Sequence, residues 1–454
     1  MVEPTIAKQA YKNTLLLSSV VVLVFSAWAN VSWVIRNPMY LKFVPPFQPG
    51  VDFNFNYAIG GGYFSIASAI VDGRGFADPF QCGSGPTAWM PPMLCWILAF
   101  FLWAFDGSLP LVIIAMVTIQ NIALICTAWL MLRVLSSMAA YWVGFIFLFQ
   151  IWFQFHPAFQ TTGDGGYLML IMNGVLAGYC LFNPYYNLIR STAWGVFGGL
   201  ACLSNPILGF VWVGLGFVAS EKQRTLFFAS LVAFAIVVSP WIVRNYLTFE
   251  RFIPVKSNLA FELYQSQNLQ TEGVLRAEVL LEHPATVGSA AREEYLELGE
   301  AVFLDRAMDR FIQEFSNRPL GYFRKVWERF LAVAVIYRPN QYNKMYGVMA
   351  LSLGFLVYPL PFVAWIIMIK EWLQGRLNKC GIIIMFSYIL YFTPYVLISY
   401  YDRYAFPANS IKWMLIAWGG YALSEKVTWM LRRVRMDGVL RSFYRAGVHG
   451  HDDP

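Results

Sequence analysis

The residues best suited to polar chemistry lie in one stretch, residues 51–92. It contains three carboxylates, Asp52, Asp72 and Asp78, and two runs rich in glycine and proline, GRGFADPF and GPTAWMPP. An ionised carboxylate can take a proton from a reacting hydroxyl, and loops commonly carry such groups. Because only 13% of the chain is charged, this stretch is the first candidate for polar chemistry.

Further polar residues stand at or beside the ends of apolar segments: Asp164, Arg244, Lys256, Glu262 and Arg403. The topology derived below brings them and Asp52 to one face of the membrane. Two acids and two arginines would suit a hydroxyl acceptor and a phosphate-bearing donor, because carboxylates accept protons and guanidinium groups bind phosphate oxygens. Taken alone, Asp164 also fits a helix cap, and Arg403 fits an anchor at the membrane edge.

The composition predicts a polytopic helical membrane protein. Apolar residues make up 58% of the chain, and the mean hydropathy is +0.51. A hydrocarbon core of about 30 Å requires roughly 20 residues of helix, and several apolar runs reach this length. The runs are continuous rather than alternating, which favours helices over a barrel. The predicted fold class is therefore an all-α, polytopic membrane protein.

The charges between apolar runs predict the topology. Spans are predicted at 14–34, 109–132, 138–155, 167–182, 225–243, 346–369, 381–400 and 404–423, with two shorter pieces at 191–203 and 206–219 separated by Asn205-Pro206. Lys8 and Lys12 place the N-terminus in the cytoplasm. The run 92–105 is too short to span, so we predict an interfacial helix there, which also keeps Arg133 on the cytoplasmic side.

The same count divides the chain into four parts. We predict an N-terminal transmembrane module at 1–245 that contains the first outer loop at 35–108, with interfacial helices. An extracytoplasmic, mostly helical loop domain follows at 246–345. The C-terminal spans lie at 346–424, and a basic cytoplasmic tail lies at 425–454.

The net charge argues against a nucleic-acid-binding protein, and the cysteine spacing argues against a disulfide-rich or zinc-binding protein. The net charge of +7 lies largely in short loops and the tail, which is typical of cytoplasmic loops and does not indicate a nucleic-acid partner. Of the six cysteines only Cys82 lies in a clearly polar loop, so the sequence contains neither a disulfide framework nor zinc-site spacing.

Several short motifs occur in a characteristic order along residues 50–425. After GRGFADPF and GPTAWMPP come PW and RNY at 240–246, RFIP at 251–254, SN and EL at 257–263, LGE at 298–300, NRP at 317–319, RF at 329–330, and RY at 403–404 with Pro407. The ordered set resembles bacterial membrane glycosyltransferases of the GT-C superfamily, relatives of the dolichyl-phosphate-mannose protein mannosyltransferases and the aminoarabinose transferases.

The resemblance implies a GT-C-like helical bundle in the bacterial cytoplasmic membrane with its active site facing outward. The implied reaction moves a hexosyl or pentosyl group from a polyprenyl-phosphate carrier to a hydroxyl acceptor on a lipid, polysaccharide or protein. Asp52 is implied as the base and Asp164 as a second acid that orients a substrate or binds a metal. Arg244 and Arg403 would bind the donor phosphate.

Other residues follow from the same resemblance. Lys256 and Glu262 would belong to the acceptor or donor loop, together with Asp72 and Asp78. Close relatives carry an acid where this chain has glycine at 60–62, so Asp72 and Asp78 remain alternative bases. No cofactor is required, although a divalent metal is compatible with the site. The expected partners are the lipid-linked sugar, its acceptor and membrane lipids.

Two alternatives remain open at the level of sequence. A transporter or lipid flippase would explain the break at Asn205-Pro206, but acids in the middle of spans are nearly absent. A non-catalytic membrane scaffold would explain the glycines at 60–62. Sugar transfer by the purified protein would reject both.

Overall fold

The structure is a computed structural model. It describes seven positions between 13 and 28 and residues 61–80, 83–135, 163–221, 223–275, 279, 281–335 and 359–423. These residues form helices and two isolated β-bridges but no strand. The helices are α1 Gly61–Val71, α2 Pro92–Ala104, α3 Leu109–Val134, α4 Gly163–Leu181, α5 Leu188–Ser204, α6 Pro206–Ala219, α7 Arg224–Phe249, α8 Leu259–Asn268, α9 Ala290–Asn317, α10 Pro319–Ala334, α11 Pro359–Leu373, α12 Lys379–Leu397 and α13 at 409–423.

Within the described ranges, three helices are long and apolar enough to cross a membrane. They are Leu111–Met131 within α3, Arg224–Phe249 and Lys379–Leu397. The predicted spans at 14–34 and 138–155 lie wholly or largely outside the described residues. The short helix predicted at 92–105 is observed as α2. It begins at Pro92, and proline is favoured at the first position of a helix. An all-helical protein with membrane-spanning helices therefore agrees with the sequence prediction.

Close approach of α5 and α7 depends on small residues. A Cβ atom added to Gly195 would lie 2.1 Å from the carbonyl oxygen of Ser230, and no side-chain rearrangement could relieve this contact with backbone. Small residues commonly allow membrane helices to approach in this way. The pair α3 and α4 packs alongside, and α12 lies against α6.

The predicted break between two short helices is observed at Asn205. Helix α5 ends at Ser204, and α6 begins at Pro206. The Asn205 side chain accepts a hydrogen bond from the backbone N–H of Ile207 at 2.9 Å, so it caps α6. Proline at the first position of α6 needs no hydrogen-bond donor there.

Helix α10 joins the outer helices to the bundle through two buried cations. The Lys325 ammonium donates to the carbonyl oxygens of Gln267 and Gln270, each at 2.6 Å, near the C-terminal end of α8. Arg329 donates to the carbonyl oxygens of Val396 at 2.7 Å and Leu397 at 3.1 Å, at the C-terminal end of α12. Positive charge complements the exposed carbonyls and the dipole at helix C-termini.

We predict that Lys325→Met destabilises the fold by about 1–3 kcal/mol, because it leaves buried carbonyl oxygens without a donor. Burial lowers the pKa of Lys325 to about 8. The unfolded chain then binds more protons than the folded chain above that pH, so the stability contributed by Lys325 rises as the pH increases from about 8 to about 10. The gap between wild type and variant should therefore widen over this range.

Thermal unfolding at pH 7.5 and pH 9.5 checks this prediction. Arg324→Met is the matched control, since Arg324 is exposed and its ion pair with Glu328 (3.4 Å) should contribute about 0–1 kcal/mol. Equal melting temperatures for wild type and Lys325→Met would contradict the capping role.

Candidate functional site

A single buried carboxylate, Glu300, connects three distant parts of the chain. It accepts hydrogen bonds from the Thr87 hydroxyl, the Ala88 backbone N–H at 2.8 Å, the Ser257 hydroxyl at 2.7 Å and the Tyr295 hydroxyl at 2.9 Å. Thr87 and Ala88 belong to the GPTAWMPP run. The first outer loop is thus bound to the segment before α8 and to α9. We call this arrangement the Glu300 hub.

The local backbone explains how Glu300 reaches this position. Gly299 interrupts α9 with φ of +73°, a conformation that glycine adopts without steric cost. The kink changes the direction of the helix immediately before Glu300. An aromatic cluster surrounds the hub, and its buried members are Phe80, Trp89, Phe261, Tyr295 and Phe303.

Burial and hydrogen bonding have opposite effects on the pKa of Glu300. Burial raises the pKa of Glu300 above its ordinary value, whereas the donated hydrogen bonds lower it. All four partners donate to the carboxyl group, and the Ala88 N–H can only donate. This donor set suits an ionised carboxylate, which accepts hydrogen bonds on both oxygens.

Arg244, predicted to bind phosphate, contacts the first outer loop directly. Its guanidinium donates to the carbonyl oxygen of Thr87 at 2.7 Å and to that of Phe76 at 2.8 Å. It also lies over the rings of Phe76 and Trp241, with centroid distances of 5.5 and 5.0 Å. Arg244 therefore holds the two sides of the loop together, and phosphate binding by this residue stays a prediction.

The two alternative bases in the loop have different environments. Asp78 is buried, and its Oδ1 accepts the backbone N–H of Gly83 at 3.1 Å and of Gly85 at 3.0 Å. Its other oxygen forms an ion pair with Arg74. The Asp72 side chain is 58% exposed and lies 2.7 Å from Arg74. Asp78 thus closes a turn, whereas Asp72 lies at the surface.

A second group of polar residues surrounds Tyr395 near the C-terminal end of α12. Helix α4, whose first turn contains Asp164, packs against α12 and against the 3-10 turn Asp402–Ala408 that carries Tyr404. The rings of Tyr395 and Tyr404 are stacked with centroids 4.9 Å apart. We call this arrangement the tyrosine cluster.

Glu262 reaches the same cluster from α8. Its carboxylate accepts a hydrogen bond from the Tyr404 hydroxyl at 3.4 Å and from the Gln265 amide at 2.7 Å. The adjacent Phe261 packs in the aromatic cluster of the Glu300 hub. Helix α8 therefore links the two groups of residues.

Glycine allows Asp164 to approach the cluster. A Cβ atom on Gly165 would lie 2.8 Å from the Phe406 ring, in the 3-10 turn Asp402–Ala408. The first turn of α4 therefore packs directly against the turn that carries Tyr404. A larger residue at position 165 would separate Asp164 from the tyrosines.

The structure brings together only some of the predicted site residues. Glu262 binds Tyr404 of the tyrosine cluster, and Asp164 lies in the first turn of α4, which packs against the same turn, whereas Arg244 contacts the segment 76–87 that contains Asp78. Lys256 is half-buried directly before Ser257 of the Glu300 hub. Asp52 and the side chain of Arg403 lie outside the described residues, although the backbone at 403 immediately precedes Tyr404.

The sequence analysis did not assign roles to Glu300, Tyr391 or Tyr395. A signal for the tyrosines was present, since residues 391 and 395 are spaced by one helical turn near the outer end of a predicted span. A glycine directly before a glutamate within the helical pattern was the signal for Glu300. In the parts of the chain that the structure describes, no group of three or more His, Cys, Asp or Glu residues could hold a metal ion.

Comparisons with known proteins do not assign this chain to a family. No protein-family model matches the sequence, and a search of curated proteins finds no significant match. Among solved structures, the chain overlaps the crystal structure of an Archaeoglobus fulgidus oligosaccharyltransferase complexed with Zn and sulfate, with a TM-score of 0.47 and 13% sequence identity. The overlap covers 92% of this chain and 51% of the archaeal chain, so this protein spans about half the length of that enzyme. A TM-score at this level does not define a shared fold.

We predict that Glu300→Gln destabilises the outer region by about 2–3 kcal/mol, because the amide nitrogen would face hydrogen-bond donors in a buried site. Thermal unfolding and the rate of proteolysis within residues 72–90 measure the effect. Glu297→Gln serves as the control, since Glu297 is exposed on the same helix. Unchanged proteolysis in Glu300→Gln would show that the loop does not depend on the hub.

We further predict that Arg244→Lys loosens the first outer loop in the absence of any substrate. A single ammonium group cannot reproduce the forked contacts to the carbonyl oxygens of Phe76 and Thr87. Faster hydrogen exchange at residues 74–88 without ligand is the expected result. Equal exchange rates in wild type and Arg244→Lys without ligand would contradict the positioning role.

Proposed function

We propose that this protein is an integral membrane glycosyltransferase that moves one sugar from a polyprenyl-phosphate carrier to a hydroxyl acceptor on the extracytoplasmic side. The observation that carries the proposal is the hydrogen bond from the Tyr404 hydroxyl to Glu262, in a turn that packs against the first turn of α4, where Asp164 lies. Two helices that each carry a carboxylate thus adjoin hydroxyl-bearing rings at one end of the helical bundle. Such a site offers both proton acceptors and hydrogen-bond donors.

The proposed reaction begins when the acceptor hydroxyl attacks the anomeric carbon of the donor sugar. The new carbon–oxygen bond forms as the bond to the carrier phosphate breaks, and the phosphate leaves as an anion. Asp52 takes the proton of the acceptor hydroxyl. Asp164 and Glu262 orient the sugar hydroxyls, since ionised carboxylates form strong charge-assisted hydrogen bonds.

Stabilisation of the departing phosphate is assigned to Arg403 and Arg244. Arg403 is assigned because it directly precedes Tyr404 of the tyrosine cluster along the chain. Arg244 would contribute its positive charge from the first outer loop, where the carbonyl oxygens of Phe76 and Thr87 orient its guanidinium. Preorganised charge of this kind lowers the energy of a transition state in which negative charge develops. A divalent metal is not required in this scheme.

We predict that Asp52→Asn lowers sugar transfer by at least about 100-fold, the lower end of the usual effect of losing a general base. Asp164→Asn should lower it by about 10–100-fold, the usual effect of losing a hydrogen bond to a charged group. The assay uses purified protein in nanodiscs, a panel of radiolabelled polyprenyl-phosphate sugars and an extract of membranes and cell wall as the acceptor. Asp305→Asn is the control, because its side chain is 52% exposed and pairs with Arg251 at the surface.

The outcomes separate the site from the activity. Transfer at the wild-type rate by both variants would reject the assignment of Asp52 and Asp164 while retaining the enzyme. Folded wild-type protein that transfers no sugar from any donor would reject the proposed function and favour a scaffold or a flippase.

A further inference from the structure

Helix α10 directs two of its charged residues inward and three of its large apolar residues outward. Lys325 and Arg329 are 6% and 0% exposed, whereas Leu320, Phe323 and Trp327 are 82%, 59% and 57% exposed. A helix on the surface of a water-soluble domain normally has the opposite arrangement. This inversion requires a physical explanation.

The spacing of these residues shows that two faces of one helix are involved. Leu320, Phe323 and Trp327 follow one another at intervals of three and four residues, so they form one stripe. Arg329 is nine residues from Leu320, which corresponds to two and a half turns and therefore to the opposite face. The exposed apolar residues thus form a continuous strip along the N-terminal half of the helix.

Hydrogen bonds determine which face is inward. Lys325 and Arg329 bind the C-terminal carbonyl oxygens of α8 and α12, and a rotation of α10 would leave both the cations and the carbonyls buried without partners. Exposure of three large apolar side chains to water is unfavourable. An apolar medium against the outer face removes this cost.

The surroundings of α10 indicate which apolar medium this is. The Tyr322 hydroxyl donates to the carbonyl oxygen of Leu397 at 3.0 Å, at the end of the membrane-spanning helix α12. Phe330 packs edge-to-face against Phe362 of the apolar helix α11, with centroids 5.6 Å apart. The strip is therefore continuous with the membrane-facing bundle and lies where α12 ends.

The flanking charges are also those of a membrane interface. Arg318 and Arg324 have side chains that are 79% and 62% exposed beside the apolar strip. Basic residues with a tryptophan and large aliphatic residues are typical of helices that lie at the boundary between lipid headgroups and acyl chains. A lipid phosphate would complement the two guanidinium groups.

We propose that α10 is a lipid-binding interfacial helix whose strip of Leu320, Phe323 and Trp327 is embedded in the outer leaflet. The inference does not depend on the proposed reaction. Its structural consequence is that lipid supports the helix that binds the C-terminal ends of α8 and α12. Because α8 carries Glu262 and α12 carries Tyr395, bilayer contact stabilises the arrangement of the tyrosine cluster.

Photo-crosslinking in a bilayer tests the proposal. The photoreactive amino acid p-benzoyl-phenylalanine replaces Phe323 in one variant and Leu320 in another, in the full chain reconstituted into vesicles of phosphatidylethanolamine and phosphatidylglycerol. Val302 is the matched control position, since it is apolar and 43% exposed on α9 near the surface ion pair of Arg251 and Asp305. Both test positions are exposed, so the substitutions leave the packed core unchanged.

The expected result is a gain in mass of one phospholipid at positions 323 and 320 after illumination, with no such gain at position 302. Crosslinks between two copies would show that the strip is instead a protein–protein interface. Crosslinks to another segment of the same chain would show that the protein itself covers the strip. Either result, or equal lipid labelling at position 302, would overturn the proposal.

Discussion

The Glu300 carboxylate is the constraint on which the outer end of this protein depends. A buried carboxylate is costly unless its oxygens are satisfied, and here one backbone N–H and three hydroxyl groups satisfy them. These hydrogen bonds form only when the segments around residues 87, 257 and 295 pack around Glu300. Removal of any one of these three segments affects the other two, so the loop, the segment before α8 and α9 behave as one unit. Arg244 strengthens the same unit by holding two loop carbonyl oxygens.

Helix α10 extends this order from α8 to α12. Its inward cations bind the C-terminal carbonyls of α8 and α12, the helices that carry Glu262 and Tyr395. The tyrosine cluster thus has two supports, the Glu300 hub through Phe261 on α8 and α10 through the helix ends. Groups that must be oriented accurately benefit from such support, because small displacements weaken short-range polar interactions.

Sequence reasoning predicted the elements better than the contacts between them. The bounds of α2 and α6 follow from apolar length and from Pro92 and Pro206, which act locally. Topology also predicted Asp164 and Glu262 at the same face, and their shared role in one site stays a prediction. By contrast, periodicity within a window of residues cannot reveal a bond from Ala88 to Glu300, 212 positions away. Nor does residue type separate a turn-closing Asp78 from a base, because the difference lies in the N–H groups around it.

The Glu300 hub also sets an order for biosynthesis. A ribosome adds roughly 5–20 residues per second, so the 212 positions between Ala88 and Glu300 take about 10–40 s to be made. During this time the GPTAWMPP run has already emerged, while its carboxylate partner does not yet exist. The helices between Ala88 and Glu300 are therefore made before the loop can form its hydrogen bonds to Glu300. The Glu300 hub therefore forms late in synthesis. A chain released before residue 300 would contain most of the bundle but would lack the hub.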